Sequence, residues 1–401
     1  MRILFLHSNF PAQFRHIAAA LARDPHHQVV FGTTQTAGEI AGVTKVIYQP
    51  HRAVNPQSHS YLQRMEGSVL QGQAMYRVAR ELKNKGFIPD IVYGHAGWGA
   101  TLFMRDIFPD AVHLRYFEWF YHAYGADANF DPADLPDVDM DLRVRIYNAP
   151  ILLELASCDR GMAPTNWQKK QHPHEFQRKI DVLHEGIDTN FFRPNSGAKL
   201  NLPGLDLSHV EEIITYSTRG MEPYRGFPQF MAAVALIQQR RPNCHVVIVG
   251  KDEVCYGRRL PDGKTYKQQA LESIDFDLSR IHFTGYLPYP QYLQVLQASI
   301  AHIYLTCPFV LSWSMLEAMA TGCLVIGSAT APVQEMLEDG KNGLLVDFFS
   351  PQAIAERVDE VFAHPDRMAQ IRAKARQMIV ENYDLNQLLP KHLQWIYDSL
   401  K

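Results

Sequence analysis

Short apolar runs alternate with amphipathic stretches along most of the chain. Arg2–Leu6 reads as a buried strand, and Pro11 to Arg23 as a helix with an alanine-rich face. A strand at Gln28–Gly32, a long helix through about Tyr61–Lys85 and a strand at Asp90–Tyr93 come next. A glycine-rich turn at Gly94–Gly99, a helix to about Ile107 and a strand near Val112–Arg115 follow. Asp159–Ala163 and Lys179–Leu183 read as the last strands of this half. Strands alternating with helices in this way predict a doubly wound α/β domain.

Turn residues then cluster at Asn195-Ser196-Gly197-Ala198 and Leu202-Pro203-Gly204, which predicts a linker at about 195–210. Beyond it the alternation resumes, with strands at Ile213–Ser217, His245–Gly250 and Ile281–Thr284 and helices from Pro228 to about Arg240 and over Tyr289–Ala298. The stretch from Ile303 to Asp347 is the most informative. Ile303–Leu305 is a buried strand, Ser312 or Ser314 caps a helix carrying Met315, Leu316 and Met319, and Gly322 stops it. Further strands follow at Leu324–Ile326 and Leu344–Val346, and a last helix, Leu388–Leu400, has Pro390 in its first turn.

In such strand–loop–helix units ligands sit beyond the carboxyl ends of the strands. The helix start at Ser312–Ser314 turns N–H groups and a partial positive charge toward that crevice, which suits a phosphate. Glu317 lies one turn further in. Its spacing from Ser314 matches a capping box, in which it satisfies a backbone donor; a contact to a nucleotide's sugar is the competing reading. Arg219 and Arg225, in TYSTRGMEPYRGFPQF directly after a strand, are suited to clamp a diphosphate. No G-x-G-x-x-G follows the first strand, which argues against a dehydrogenase.

The run LEAMATGCLVIGS, followed by Glu335 and by DGKNGLLV, resembles the nucleotide-sugar-binding half of family 4 glycosyltransferases. The first half is most similar to a bacterial subgroup with a distinctive N-terminal domain. The resemblance implies the α/β GT-B fold, with two Rossmann-like, doubly wound domains facing a cleft. Residues 1–195 would form the acceptor side and 196–386 the donor-binding domain, with helix 387–401 packed back on the first. It implies that Glu317 holds the donor ribose and that Arg219 and Arg225 occupy the family's Gly-Arg…Lys-Gly element. Tyr286, after Gly285, would meet the base or simply pack, and Ser312, Trp313 and Ser314 would offer N–H groups to the phosphates.

On the acceptor side the resemblance implies catalytic roles for His95, in YGHAGWGA, and Glu118, in LRYFEWFYH, with a structural role open for His95. Tyr116, Phe117, Trp119, Phe120 and Tyr121 would stack on sugars or fill a core. The segment His184-Glu185-Gly186-Ile187-Asp188 resembles the family's hinge, where Gly186 sets the backbone and Asp188 makes local hydrogen bonds. Arg225 stands in for the family's lysine and Glu118 for an active-site histidine, and two further departures bear on activity. Phe309 stands where the first glutamate of a Glu-x7-Glu motif belongs, and Phe10-Pro11-Ala12-Gln13-Phe14 replaces a Gly-Gly pair.

The function implied is a retaining, hexosyltransferase-type glycosyltransferase of bacterial polysaccharide or glycoconjugate synthesis. It would move a sugar from a nucleotide-sugar donor to a hydroxyl of a glycan, lipid-linked or protein acceptor, with no cofactor and no metal. The two departures keep a second reading open, a nucleotide-sugar-binding subunit or scaffold without catalysis.

Composition narrows the setting. Apolar residues at 46% and charged residues at 20% describe a soluble globular protein, and a net charge of −3 gives no general attraction to nucleic acid. No apolar run approaches the ~20 residues that span a bilayer, and MRILFLHSNF reads as a strand rather than a signal peptide. The five scattered cysteines contain no CxxC pair, so neither disulfides nor a zinc site is expected and a reduced cytoplasm suits them. Lys169, Lys170, His172, His174, Arg178 and Lys179 read as a solvated helix end, with peripheral contact to the inner face of the membrane as the alternative. Six aspartates between Asp127 and Asp141 lack the glycine and closing glutamate of a calcium loop, so a solvated acidic loop is expected.

Overall fold

A computed structural model describes residues 1–133 and 137–401, which divide into two compact units. One comprises Met1–Gly186 with Asn386–Lys401, the other Ile187–Leu385. Asp134, one of the six aspartates of the acidic loop, lies outside the described residues.

The first unit is built on seven parallel strands: β1 (Arg2–Leu6), β2 (Gln28–Thr33), β3 (Val43–Ile47), β4 (Ile91–His95), β5 (Val112–Tyr116), β6 (Arg160–Ala163) and β7 (Ile180–Val182). Their order is β3-β2-β1-β4-β5-β6-β7. Side chains alternate across a strand, so a run apolar at every position buries both faces. In β1, Ile3 and Phe5 pack with Val29, Phe31, Ile91 and Tyr93, while Leu4 and Leu6 pack on the other face with Val30, Met75 and Val92. Each fully buried side chain of this kind contributes about 1.5–3 kcal/mol, which commits β1 to the centre.

The apolar-run reading does not include β3. This edge strand is only half-buried, and its Lys45 Nζ donates to the carbonyls of Thr36 and Ala37 at 2.6 and 3.1 Å. The first helix is also shorter than its amphipathic pattern, spanning Arg15–Ala22 behind a 3-10 turn at Ala12–Phe14. The last helix begins earlier than expected, at Leu385, so Pro390 falls inside it rather than in its first turn. The chain is already pinned there, because Leu385 N donates to Ile187 O at 2.9 Å. Trp395 and Ile396 of this helix are buried with Ile3 and Phe5, and Trp395 Nε1 donates to Asp181 Oδ2 at 2.7 Å.

The second unit carries a small antiparallel pair, β8 (Asn201–Leu202) and β9 (Leu205–Asp206). Its parallel sheet comprises β10 (Ile213–Gly220), β11 (His245–Lys251), β12 (Ile281–Gly285), β13 (Ala301–Tyr304), β14 (Leu324–Ser328) and β15 (Leu344–Val346). The order is β12-β11-β10-β13-β14-β15. The segment read as a linker belongs to this unit, since Phe192, Leu200, Leu202 and Leu207 are buried in its core. The unit boundary therefore falls at Gly186–Ile187, ahead of the turn-rich segment. Gly186 has φ 91°, and Asp188 Oδ1 accepts from the amides of Asn190 and Phe191 at 3.1 and 3.0 Å.

Candidate functional site

In the first unit, polar side chains gather where the central strands end. His95 closes β4, and Glu118 lies just beyond β5. His95 Nδ1 is 2.9 Å from the Ala96 carbonyl, which can only accept, so this nitrogen carries a proton. Its Nε2 lies 3.4 Å from Glu118 Oε2. Gln13 Nε2 donates to Glu118 Oε1 at 3.0 Å, and the His7 ring meets the His95 ring edge-on at 4.6 Å between centroids. Asn9 N donates to His7 Nδ1 at 2.8 Å, and burial first, then the neighbouring His95, holds the His7 pKa well below the ordinary histidine value.

Sequence reasoning did not select His7 and Gln13. The signal was their place after the first strand, His7 at the start of the strand–helix loop and Gln13 in the segment that replaces Gly-Gly. The loop after His95 is fixed from below by a buried carboxylate. Glu154 Oε1 accepts from Gly97 N at 3.2 Å, and its Oε2 accepts from Thr101 Oγ1 at 2.6 Å and lies 3.3 Å from Arg115 Nε. Gly99, at φ 94°, is needed there because a Cβ would sit 2.1 Å from the Ser68 carbonyl oxygen.

The aromatic segment beside Glu118 fills a core. Tyr116, Phe117, Trp119 and Phe120 are all buried. Nor do the basic residues form one solvated face: His172 is buried, and Lys179 Nζ donates to the Leu155 and Cys158 carbonyls at 3.3 and 3.0 Å.

In the second unit the two arginines differ. Arg219, near the end of β10, is exposed. Arg225 is 7% exposed, and its NH1 donates to Thr306 Oγ1 at 2.7 Å and to the Val310 carbonyl at 2.9 Å. No carboxylate pairs with it among the described residues. Aromatic rings surround it instead, with Tyr256 at 5.4 Å and Phe309 at 5.9 Å from its guanidinium carbon. Gly226 makes this possible: at φ 64° it turns the chain into helix Phe227–Arg240, and a Cβ there would lie 2.6 Å from Leu305 Cβ.

The helix Trp313–Thr321 is capped by Ser312, whose hydroxyl accepts from Ser314 N at 3.3 Å. Ser314 is thus inside the helix, and Glu317 lies too deep for the capping box that its spacing suggested. Glu317 is 6% exposed and accepts from Tyr289 Oη at 3.4 Å. Ser312 N is also engaged, donating to Tyr304 Oη at 2.8 Å, so that amide is not turned to a phosphate. Trp313 is half-buried, and Tyr286, after β12, is 72% exposed. No group of three or more His, Cys, Asp or Glu side chains is placed to hold a metal ion among the described residues. No described helix is long and apolar enough to cross a membrane.

Two family models match successive parts of the chain: the glycosyl transferase family 4 group over residues 25–192 and glycosyl transferases group 1 over residues 206–378. The chain belongs to the family 4, group 1 glycosyltransferases. The D-inositol 3-phosphate glycosyltransferase of Segniliparus rotundus is 25% identical over 226 residues, which are 53% of this chain and 46% of that protein. The trehalose synthase of Pyrococcus horikoshii is 22% identical over 201 residues, 50% of this chain and 46% of that protein. The match thus spans less than half the length of either relative. Among solved structures, the sucrose-phosphate synthase of Thermosynechococcus elongatus aligns at a TM-score of 0.72 and 17% identity, covering 99% of this chain and 98% of that one. Anabaena HepE, crystallised in complex with UDP-glucose, aligns at 0.70 and 15% identity over 99% and 100% of the two chains. Together with the two parallel-sheet units, these neighbours establish the GT-B fold.

Proposed function

We propose that this protein is a retaining glycosyltransferase of the hexosyltransferase type. It moves a sugar from a nucleotide-sugar donor to a hydroxyl of a glycan, lipid-linked or protein acceptor, in the cytoplasm, as a step in bacterial polysaccharide or glycoconjugate synthesis. The observation that carries this reading is Arg225. Its guanidinium is buried against neutral partners in the unit that matches the group 1 family, so its charge is uncompensated. A cation held in that way suits the diphosphate of a donor, where negative charge develops as the sugar departs.

Arg219 is the second arm of the clamp, and Glu317 is the acceptor for the ribose hydroxyls. Tyr286, Ser312, Trp313 and Ser314 border the donor. His95 and Glu118 serve the acceptor hydroxyl. In a same-face transfer, which retains configuration, the leaving phosphate oxygen takes the acceptor proton as the sugar–phosphate bond breaks, so catalysis rests on positioning and charge stabilisation. Family membership supports this reading, as do the glycosyltransferase activity of the Segniliparus relative and the UDP-glucose held by HepE.

The test is release of nucleoside diphosphate by purified protein, across a panel of nucleotide sugars and acceptors, with the anomer of the product read by NMR. Release with one donor and a product of unchanged configuration is expected. Donor binding without release under every acceptor would instead identify a binding subunit, and an inverted product would refute retention.

A further inference from the structure

A buried carboxylate that this chemistry does not use stands beside Arg225. Glu222 is 0% exposed, and no lysine or arginine pairs with it among the described residues. Its Oε1 accepts from Cys255 N and Tyr256 N, both at 3.1 Å, and its Oε2 accepts from Tyr256 N at 3.0 Å and Gly257 N at 2.6 Å. The loop has no slack there: a Cβ on Gly257 would lie 3.2 Å from Glu222 Oε2 and 3.3 Å from the Tyr224 ring.

The main chain of the same residue faces the other way. The Glu222 carbonyl accepts from Arg225 N at 3.2 Å and from Phe227 N at 3.3 Å, closing the turn that bears Arg225. Glu222 therefore holds two segments at once, the arginine turn by its backbone and the 255–257 loop by its side chain. The consequence is the position of Tyr256. Its ring lies 5.4 Å from the Arg225 guanidinium, stacked on Tyr224 at 6.3 Å and tilted against Phe309 at 5.3 Å. Tyr256 is 39% exposed, so the ring covers the buried cation from the solvent side.

A carboxylate suits this task for two reasons. Converging N–H donors bind an anion more strongly than a neutral acceptor. The negative charge is taken up by the loop amides, which leaves the guanidinium's charge uncompensated. A ring over a cation also adds attraction and excludes water, which strengthens any ion pair formed beneath it.

We infer that Glu222 is a positioning residue for a nucleoside diphosphate at Arg225, acting through Tyr256, whose ring forms the aromatic wall of that site. The inference rests on the diphosphate reading of Arg225.

The test uses titration calorimetry of the full chain with UDP, GDP, ADP, CDP and dTDP, followed by the tightest of these with each variant. Tyr256→Ala and Glu222→Gln should each weaken binding about tenfold, the scale of a desolvated cation–π contact. Glutamine keeps one accepting oxygen but turns an NH2 to a loop that presents only donors, so it loses part of the hold on the loop. Tyr256→Phe should keep most of the affinity, since the ring forms the wall and the hydroxyl meets the Arg219 and Arg225 guanidiniums only as a neutral acceptor. In the Tyr256→Ala background, Glu222→Gln should add little, because its effect runs through the ring. Wild-type affinity in Tyr256→Ala, or full additivity of the pair, with Arg225→Ala still defective, would overturn the inference and leave the clamp standing. Wild-type affinity in Arg225→Ala, or no binding of any of the five by the wild type, would remove both. Should Glu222→Gln fail to fold by thermal melting, the Tyr256 pair decides: loss in Ala with retention in Phe supports the wall, and retention in both refutes it.

Discussion

The Ser312 hydroxyl accepts the Ser314 amide at 3.3 Å, and that bond changes how Glu317 is to be read. With Ser312 as the cap, Met315 and not Glu317 holds the capping-box position, and Glu317 is buried beside Tyr289. Glu317→Gln should keep the fold and the melting temperature while weakening nucleotide affinity about tenfold, or ~1.4 kcal/mol. Calorimetry with a nucleoside diphosphate checks this, and binding as tight as wild type would remove the charged ribose contact.

Arg225→Ala and Arg219→Ala should each cost on the order of 1.5–3 kcal/mol of nucleoside diphosphate affinity, the value of a charge-assisted bond. They should differ in stability. Arg225 holds Thr306 and Val310 from a buried position, so its loss should lower the urea midpoint. Arg219 is exposed, and its loss should not. Equal midpoints for the two variants would refute the distinction.

Phe309 is buried against Tyr224, with ring centroids 5.4 Å apart, and near Arg225. Phe309→Glu places a carboxylate where the guanidinium is uncompensated, so an internal ion pair should form and compete with phosphate. Nucleoside diphosphate binding and turnover should both fall. Phe309→Ala should spare most of the affinity and reduce turnover, since it removes a wall rather than a charge. A Glu variant that turns over faster than wild type would show that Phe309 is not an adapted part of the site.

His302 is fully buried, with Nδ1 2.9 Å from Thr215 Oγ1, and burial holds its pKa down at about 3. An unfolded histidine titrates near 6.5, so between these values the unfolded state binds more protons. Stability from neutral His302 is therefore complete above about pH 6.5 and is lost as pH falls toward 3, at up to ~1.4 kcal/mol per pH unit. Urea unfolding followed between about pH 7.5 and 5 should show a shallower loss in His302→Gln than in wild type. Parallel slopes would assign the acid sensitivity to other groups.

Much of the fold was legible because inner strands carry unbroken apolar runs, as in Ile3–Leu6 and Val246–Val249, and such runs are a property of sequence neighbours. The edge strand β3 was not, since Thr44 and Lys45 interrupt its apolar pattern and it is only half-buried. Helices Pro351–Ala363 and Pro365–Asn382 were missed as well, although Ser350-Pro351 and Pro365 mark their starts, because only His364 separates them.

At the candidate site, the sequence by itself determined the residue types: two arginines after a strand, a helix start rich in serine, a glutamate one turn in, and a histidine closing β4. Tertiary structure decided what each is worth. It buried Arg225 and left Arg219 in solvent, and it moved the cap to Ser312, which freed Glu317 from that role. It brought Gln13 to Glu118 across 105 residues and the Glu222 carboxylate to the amides of a loop more than 30 residues away. No local spacing encodes such meetings. They arise where parallel strands deliver distant loops to one edge of a sheet, and burial there sets which charges stay uncompensated.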